Sequence, residues 1–176
     1  YMKTSDRKRA DIKRSRGPVE YDKHFSEKKH QDFVEFCKSI GLRNKKELRV
    51  LRGTDLVNLG NGKYAVMVNK GKGGKERLAP IVGPEERVAA TVAKMKEAGE
   101  NRVWERIFAA AHVHSYRADY CCYIYEQHAR DPHKIPISER YMCRNDLKGV
   151  WYDKKAMLIA SEALGHERLE VIAGHY

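Results

Sequence analysis

Apolar side chains recur at helical spacing in the first part of the chain that can contribute to a core. Over residues 26–40 they fall three or four positions apart, which predicts an amphipathic helix, and Gly41 follows as a helix stop. After Arg43 the same spacing returns at Leu48 and Leu51, so we expect a second helix there. The apolar positions of the first helix are Phe33, Phe36, Cys37 and Ile40.

The pattern then changes to strict alternation, which is the period of a half-buried strand. Residues 64–69 form this strand, with Tyr64, Val66 and Val68 on one face. A glycine-rich run, KGKGGK, follows, and residues 76–82 predict a return strand. We therefore expect a β-hairpin with lysines at its tip, namely Lys70, Lys72 and Lys75.

The second half of the chain is predicted to be mainly helical. Pro84 suits the first turn of a helix that runs to about residue 97, and Gly99 ends it. The inward residues of this helix are Val88, Val92 and Met95. The remaining predicted elements are a helix over 102–111, a long helix over 114–130, a break at 131–136, a short hairpin within 139–153 and a final helix over 154–163.

The long helix carries an apolar stripe that we interpret as core and not as a base-stacking surface. Its members are Tyr116, Tyr120, Tyr123 and Ile124. Together the elements predict a mixed α/β domain, mainly α, with helices around a small antiparallel β-sheet. Residues 1–22 are dense in Lys and Arg and nearly free of large apolar side chains, so we interpret them as a basic linker or arm. The chain starts at Tyr1 and not at methionine, which favours a fragment of a longer protein.

Charge points to a polyanionic partner. The 176 residues include 35 Lys and Arg against 24 Asp and Glu, a net charge of +11. No apolar run approaches the roughly 20 residues of a membrane span, and no signal peptide is visible. The cysteines have no CxxC spacing and two are adjacent, which argues against a zinc site or a disulfide framework. We expect a reduced, intracellular protein whose cysteines act as small core residues: Cys37, Cys121, Cys122 and Cys143.

Two places in the chain suit a phosphate group. His114 and Arg117 lie three residues apart at the start of the long helix, so their side chains share a face at its N-terminal end. That end offers unpaired N–H groups and a dipole that favours an anion. Arg43 lies in a turn where backbone and side chain can both face a phosphate. An arginine fork grips two phosphate oxygens and keeps its charge.

These residues belong to a longer ordered set. Arg43 stands in GLR, a lysine in GKGGKERLAP, His114 and Arg117 in HSYR, His166 in LGH, and Tyr176 follows ten positions after that histidine. The set resembles the catalytic domain of the tyrosine recombinases, the phage-integrase family. Each motif is weak by itself, and the order of all five carries the resemblance. The resemblance implies the recombinase catalytic fold over residues 23–176, with an upstream DNA-binding domain that this chain lacks.

The resemblance also implies a chemistry: cleavage and rejoining of DNA through a covalent 3′-phosphotyrosine. Tyr176 would attack the scissile phosphate, and Arg43 and Arg117 would stabilise the transition state. Lys72, directly after the first glycine of the hairpin tip, would be the general acid for the departing 5′-oxygen. Because a tyrosine with a pKa of about 10 is a poor nucleophile, the surrounding cations matter.

The roles of the histidines stay open. His114 would assist proton transfer or bind the phosphate, and His166 would bind the phosphate or brace the nucleophile. His175, beside the terminal tyrosine, is a candidate catalytic neighbour that could share the role of His166. Two positions depart from the family pattern: Ala118 stands where another histidine is frequent, and the spacing to Glu47 is one residue longer than in the common GLR-x-x-E form.

The resemblance implies that no cofactor or metal is needed, since the phosphotyrosine conserves the bond energy. It implies double-stranded DNA as the partner, a synaptic homotetramer of the full-length protein, and an accessory directionality factor as a candidate partner. The expected setting is the bacterial cytoplasm at the nucleoid, in integration or transposition by a phage or another mobile element. Segment 131–153 is interpreted as an insertion in which Arg140 and Arg144 face DNA. The predicted DNA contacts are Lys70, Lys75, Arg77 and Arg144.

Family members exchange a segment beyond the tyrosine between subunits, and this chain stops at Tyr176, so we expect the fragment to be monomeric in solution. Three alternatives remain. A type IB topoisomerase uses the same groups to relax supercoils, and strand exchange against plasmid relaxation separates the two. A catalytically silent DNA-binding relative would have kept the fold and lost the activity. A ribosome- or RNA-associated basic protein is the third, although no RNA-binding motif is evident.

Overall fold

The computed structural model describes residues 25–69, 76–143 and 148–166. The predicted basic arm, the tip of the lysine hairpin, Arg144 and residues 167–176 lie outside the described residues. Within the described ranges the chain is mixed α/β, with short antiparallel sheets among helices, as predicted. The elements are α1 (Gln31–Ile40), β1 (Leu56–Gly60), β2 (Lys63–Val68), β3 (Arg77–Pro80), α2 (Glu85–Ala98), α3 (Val113–His128), β4 (Arg140–Met142), β5 (Trp151–Asp153) and α4 (Lys154–Leu164).

Helix α1 confirms the first predicted helix and its stop. All four predicted apolar positions are buried, including Phe33 and Ile40 with no exposed surface. Gly41 follows in the left-handed conformation with φ 58°, and its N–H donates to the carbonyl of Cys37. A glycine is required there for two reasons: the positive φ disfavours a Cβ, and the Tyr120 ring occupies the space that a Cβ would fill.

The predicted second helix after Arg43 is wrong. The chain instead makes a turn and two short 3₁₀ segments, Leu48–Val50 and Gly53–Asp55. Leu48 and Leu51 are buried as predicted, but Leu51 is extended, with ψ 128°. The cause is a close approach of two backbones, because Gly53 packs directly against the carbonyl of Met95 at the end of α2. Tertiary packing thus overrides the helical spacing.

Strands β2 and β3 confirm the two strands of the predicted lysine hairpin. They pair antiparallel, from Ala65 opposite Pro80 to Val68 opposite Arg77. Strand β1 was not predicted, and it adds to the free edge of β2 to give the order β1-β2-β3. The turn between β1 and β2 is Asn61–Gly62, with φ 53° and 72°, the two positive values of a type I′ hairpin turn.

The predicted helix over 102–111 is also wrong. This segment is irregular, and its path is set by contacts with α1 and with the chain near Leu51. The N–H of Val103 donates to the carbonyl of Leu51 at 2.9 Å. Trp104 and Phe108 both pack edge-on against the Phe33 ring, with centroids 5.1 and 5.2 Å away. These aromatic contacts and the hydrogen bond to Leu51 hold the segment on its irregular path.

Helix α3 contributes residues to both hydrophobic clusters of the core. It begins and ends within two residues of the predicted long helix, and it packs against both α1 and α4. Tyr116 and Tyr120 are buried, which confirms their interpretation as core residues. Tyr116 belongs to the larger hydrophobic cluster, built by α1, α2 and the sheet, and Tyr120 belongs to a second cluster shared with α4. Arg117 lies between them in the sequence.

The short hairpin and α4, both of which were predicted, are held by an ion pair between buried Asp153 and the exposed Arg130. Asp153 has no exposed surface and caps α4 by accepting from the N–H of Lys155 at 3.0 Å. Arg130 donates to the same carboxylate from Nε and Nη2 at 2.9 and 3.0 Å. These hydrogen bonds hold the pKa of Asp153 well below its usual range. Arg140 donates to the carbonyl of Ile135 at 3.0 Å, so it orders this segment from within.

The cysteines are free thiols. Cys37, Cys121 and Cys143 are buried, as expected of small core residues, whereas Cys122 is exposed. Burial raises the pKa of Cys121 to about 12, so its thiol stays protonated. None of the helices in the described ranges has the length and apolarity to cross a membrane.

The two reasons for glycine at position 41 can be separated experimentally. Gly41→Ala should lower the free energy of unfolding by about 3 kcal/mol or more, because strain at positive φ adds to overlap with the Tyr120 ring. Gly60 also has a positive φ, of 83°, but faces open space. Gly60→Ala should therefore cost only about 1–2 kcal/mol. Urea unfolding of both variants measures the difference, and equal losses would contradict the role of the ring.

Candidate functional site

Arg117 is the buried centre of the candidate site. Arg117 is 5% exposed. It lies on α3, and its guanidinium points toward the ends of α1 and α4. Nε donates to the carbonyl of Gly41 at 2.8 Å, just beyond α1, and Nη2 donates to the carbonyl of Leu164 at 2.9 Å, the last residue of α4. A buried guanidinium is tolerated only where acceptors meet it, so these bonds fix its orientation. They also place the GLR, HSYR and LGH segments side by side.

Arg43, two residues after Gly41, lies in a turn that is closed by hydrogen bonds with Glu47. The Arg43 N–H donates to Glu47 Oε1 at 3.1 Å, and Nη1 lies 3.5 Å from Oε2. In return the N–H groups of Glu47 and Leu48 donate to the Arg43 carbonyl at 3.3 and 2.9 Å. The longer spacing noted in the sequence therefore still lets the carboxylate reach the arginine. The Arg43 side chain remains 19% exposed, so it is accessible to a ligand.

Glu47 also binds a second arginine, Arg77 on β3. Nη1 and Nη2 of Arg77 donate to the two carboxylate oxygens at 2.9 and 2.8 Å, a bidentate pair. The Glu47 side chain has no exposed surface and that of Arg77 only 11%. Burial raises the pKa of Glu47, but the hydrogen bonds and charges of Arg77 and then Arg43 outweigh it, and the pKa lies below its ordinary value. The carboxylate is ionised and orients both arginines.

The LGH turn closes the other side of the site. Gly165 has φ 76°, and its N–H donates to the carbonyl of Glu162 while the N–H of His166 donates to that of Ser161. This is the Schellman pattern that ends many helices. The Ser161 hydroxyl donates to the His166 carbonyl at 2.7 Å, which fixes the half-buried histidine further. Gly165 lies against the side chain of Arg77, since a Cβ there would be 3.1 Å from Cδ and Nη1.

The described candidates fall in one region of the fold. Arg43, Arg117 and His166 lie on segments joined by the hydrogen bonds above, and His114 lies in the first turn of α3, one turn before Arg117. Among the described residues, the three arginines Arg43, Arg77 and Arg117 outnumber the carboxylate of Glu47, which binds two of them, so the region suits an anion such as a phosphate. The other candidates lie outside the described residues: Lys70, Lys72, Lys75, Arg144, His175 and Tyr176.

Arg77 has a different position from the one expected of a DNA contact. Its guanidinium donates to Glu47 and, from Nε, to the carbonyl of Ala163 at 3.1 Å. It therefore serves the interior of the site, and its predicted role as a phosphate contact gains no support from this geometry. Glu47 was not predicted as a site residue. The sequence offers one signal, because Glu47 lies four residues after Arg43. It does not indicate that Glu47 also binds Arg77, which lies on a different element.

No group of three or more His, Cys, Asp or Glu in the described part of the chain could hold a metal ion. Comparisons of this chain with protein-family models, curated proteins and solved structures found no match. The function must therefore be inferred from the residues, their charges and their contacts.

Removal of the Glu47 charge should destabilise the protein strongly. Glu47→Gln leaves two partly buried arginines without their carboxylate, which should lower the free energy of unfolding by about 3 kcal/mol. Glu35 offers a matched control, because it pairs with Arg87 at 2.6 Å but is 38% exposed. Glu35→Gln should cost less than about 1 kcal/mol. Urea unfolding near pH 7 measures both changes, and similar losses would contradict the role of the buried carboxylate.

The same variant should show a defined pH dependence. Because the folded pKa of Glu47 is lowered, its stabilisation is complete above the unfolded pKa of about 4.3 and is lost as the pH falls through the folded pKa. The stability difference between the wild type and Glu47→Gln should therefore shrink on acidification. Urea midpoints measured at falling pH test this. A difference that grows toward low pH would show that the pKa shift has the opposite sign.

Proposed function

We propose that this chain is the catalytic domain of a tyrosine recombinase, which cleaves and rejoins DNA strands through a covalent 3′-phosphotyrosine. The observation that supports this most is the pair of hydrogen bonds from Arg117 to Gly41 and Leu164, at 2.8 and 2.9 Å. Three segments that are far apart in the chain, GLR, HSYR and LGH, adjoin at the residues that a phosphoryl-transfer site of this class needs together. Chance motif matches have no reason to adjoin in the fold.

The proposed reaction is a balanced exchange of one phosphorus–oxygen bond for another. The phenol oxygen of Tyr176 forms a bond to phosphorus, and the bond from phosphorus to the 5′-oxygen breaks. The phenol proton passes to a histidine, either His114 or His166, and Lys72 supplies a proton to the departing 5′-oxygen. Attack of a 5′-hydroxyl on the phosphotyrosine reverses every step, so rejoining consumes no nucleotide.

The arginines supply the largest electrostatic contribution in this proposal. Arg43 and Arg117 stabilise the charge that develops on the non-bridging oxygens of the phosphate, and Glu47 fixes the first of them before substrate arrives. Such preorganised donors are worth about 3 kcal/mol each in comparable sites.

The proposed partner is double-stranded DNA, in keeping with the net charge of +11. Lys70, Lys75 and Arg144 are proposed to contact its backbone. The full-length protein would act as a synaptic homotetramer at the bacterial nucleoid, with a directionality factor as a candidate partner, in the movement of a phage or mobile element. Whether the domain exchanges strands or relaxes supercoils, as a type IB topoisomerase does, is decided by the product it forms.

A covalent adduct is the direct test. We expect the protein, incubated with a pool of duplexes that are nicked near a randomised sequence, to form a protein–DNA band that survives denaturation, because the fragment beyond the nick diffuses away before religation. Tyr176→Phe should abolish the band. Tyr123→Phe is the matched control, since this half-buried tyrosine lies on α3 and should leave the band unchanged. An adduct that persists in Tyr176→Phe, or none with the wild type, would overturn the proposal.

The role of Lys72 can be tested with a modified leaving group. Lys72→Ala should slow cleavage by about 10²–10⁴-fold, because the 5′-oxygen then departs without a proton. A substrate with sulfur in place of that bridging oxygen needs no protonation, so the variant should cleave it at close to the wild-type rate. Lys70→Ala and Lys75→Ala are the neighbouring controls. If one of them, and not Lys72→Ala, is rescued by sulfur, the general acid is assigned to the wrong lysine.

A further inference from the structure

We propose that Arg77 is a positioning residue, which couples the Arg43 side of the site to the turn that carries His166. This inference rests on the proposed function for its catalytic consequence, although the coupling itself is a property of the fold. It replaces the expectation that Arg77 binds the DNA backbone.

The guanidinium of Arg77 is already bonded within the protein. Three of its N–H donors form hydrogen bonds inside the protein. Nη1 and Nη2 donate to Glu47 at 2.9 and 2.8 Å, and Nε donates to the carbonyl of Ala163 at 3.1 Å. The side chain is only 11% exposed. Because Nη1 and Nη2 both donate to Glu47, the fork with which an arginine normally binds a phosphate is already occupied by a carboxylate.

These bonds form a continuous path of contacts from Arg43 to the end of α4. Glu47 holds the backbone N–H and the guanidinium of Arg43, Arg77 holds Glu47, and the same Arg77 holds the last turn of α4 at Ala163. Gly165, the residue before His166, lies against the Arg77 side chain at a distance that leaves no room for a Cβ without displacement. The side chain of Arg77 thus connects this turn to the carboxylate that holds Arg43.

Arg117 makes a parallel connection. That residue also links the GLR segment to the end of α4, through Gly41 and Leu164. Two arginines from different elements, α3 and β3, therefore connect the same two parts of the site at adjacent carbonyls, 163 and 164. Two connections fix the relative orientation of the segments as well as their separation. Misplacement of reacting groups by about 1 Å can cost about 10²-fold in rate.

The variant Arg77→Lys distinguishes a positioning role of Arg77 from a role of its charge alone. Its single ammonium keeps the positive charge but lacks the planar fork, so it cannot bind both Glu47 oxygens and the Ala163 carbonyl at once. Arg87→Lys is the matched control, because Arg87 also bridges two elements, through Glu35 on α1, but lies away from the site. Both variants are first checked by thermal melting, so that every assay is run well below the transition.

Hydrogen exchange tests the coupling without any DNA. Arg77→Lys should speed amide exchange together in two segments, residues 41–50 and 161–166, whereas Arg87→Lys should leave both at wild-type rates. Faster exchange in only one of the segments, or in neither, would overturn the coupling. This measurement does not depend on the proposed function.

Adduct formation tests the catalytic consequence. At saturating DNA, Arg77→Lys should form the Tyr176 adduct about 10–100-fold more slowly than the wild type, while its dissociation constant for DNA stays within about two-fold. A weakened affinity with an unchanged rate at saturation would make Arg77 a phosphate contact and contradict positioning, and an unchanged rate and affinity would also contradict it. If the wild type forms no adduct, the proposed function fails, and the exchange experiment still decides the coupling.

Discussion

The structure depends most on the burial of one guanidinium, that of Arg117, between two helix ends. Helix α3 carries Tyr116 into one hydrophobic cluster and Tyr120 into the other, and Arg117 stands between them in the sequence. A charged group at such a place is costly unless its donors are met. The carbonyls of Gly41 and Leu164 meet them, which is possible because α1 and α4 both end beside α3. The same bonds that make the burial tolerable bring distant motif segments together.

The buried carboxylate of Glu47 is a second constraint on the structure. Glu47 is the carboxylate through which two arginines are held, and it is fully buried, so its charge is retained only because Arg77 and Arg43 surround it. Positive φ at Gly41 and Gly165 ends the two helices next to these arginines and leaves room for their neighbours, the Tyr120 ring and the Arg77 side chain. The two glycines therefore meet two requirements at once: they end the helices, and they let the neighbouring side chains pack closely.

Much of the fold could be predicted because the relevant signals are local. The helix that ends at Gly41 follows from apolar spacing and a stop residue, whereas the lysine hairpin strands, α3 and α4 follow from the pattern of apolar residues. The errors have a common cause, which is contact between distant segments: backbone against backbone at Gly53, and aromatic packing at Trp104. Strand β1 is a different case, because the Asn61–Gly62 turn is a local signal for a hairpin that the alternation of β2 alone does not reveal.

The site could be predicted less completely. Residue types and their order indicate which groups suit a phosphate, but the pairing of Glu47 with Arg77 joins residues from separate elements and appears only in the fold. A crystal structure of the protein with DNA and vanadate, which mimics pentavalent phosphorus, tests the proposed function most directly. Tyr176 is expected to be bonded to vanadium, with Arg43 and Arg117 donating to the vanadate oxygens. The proposal would be contradicted if vanadate and DNA bound elsewhere on the protein and Arg43 and Arg117 pointed away from each other.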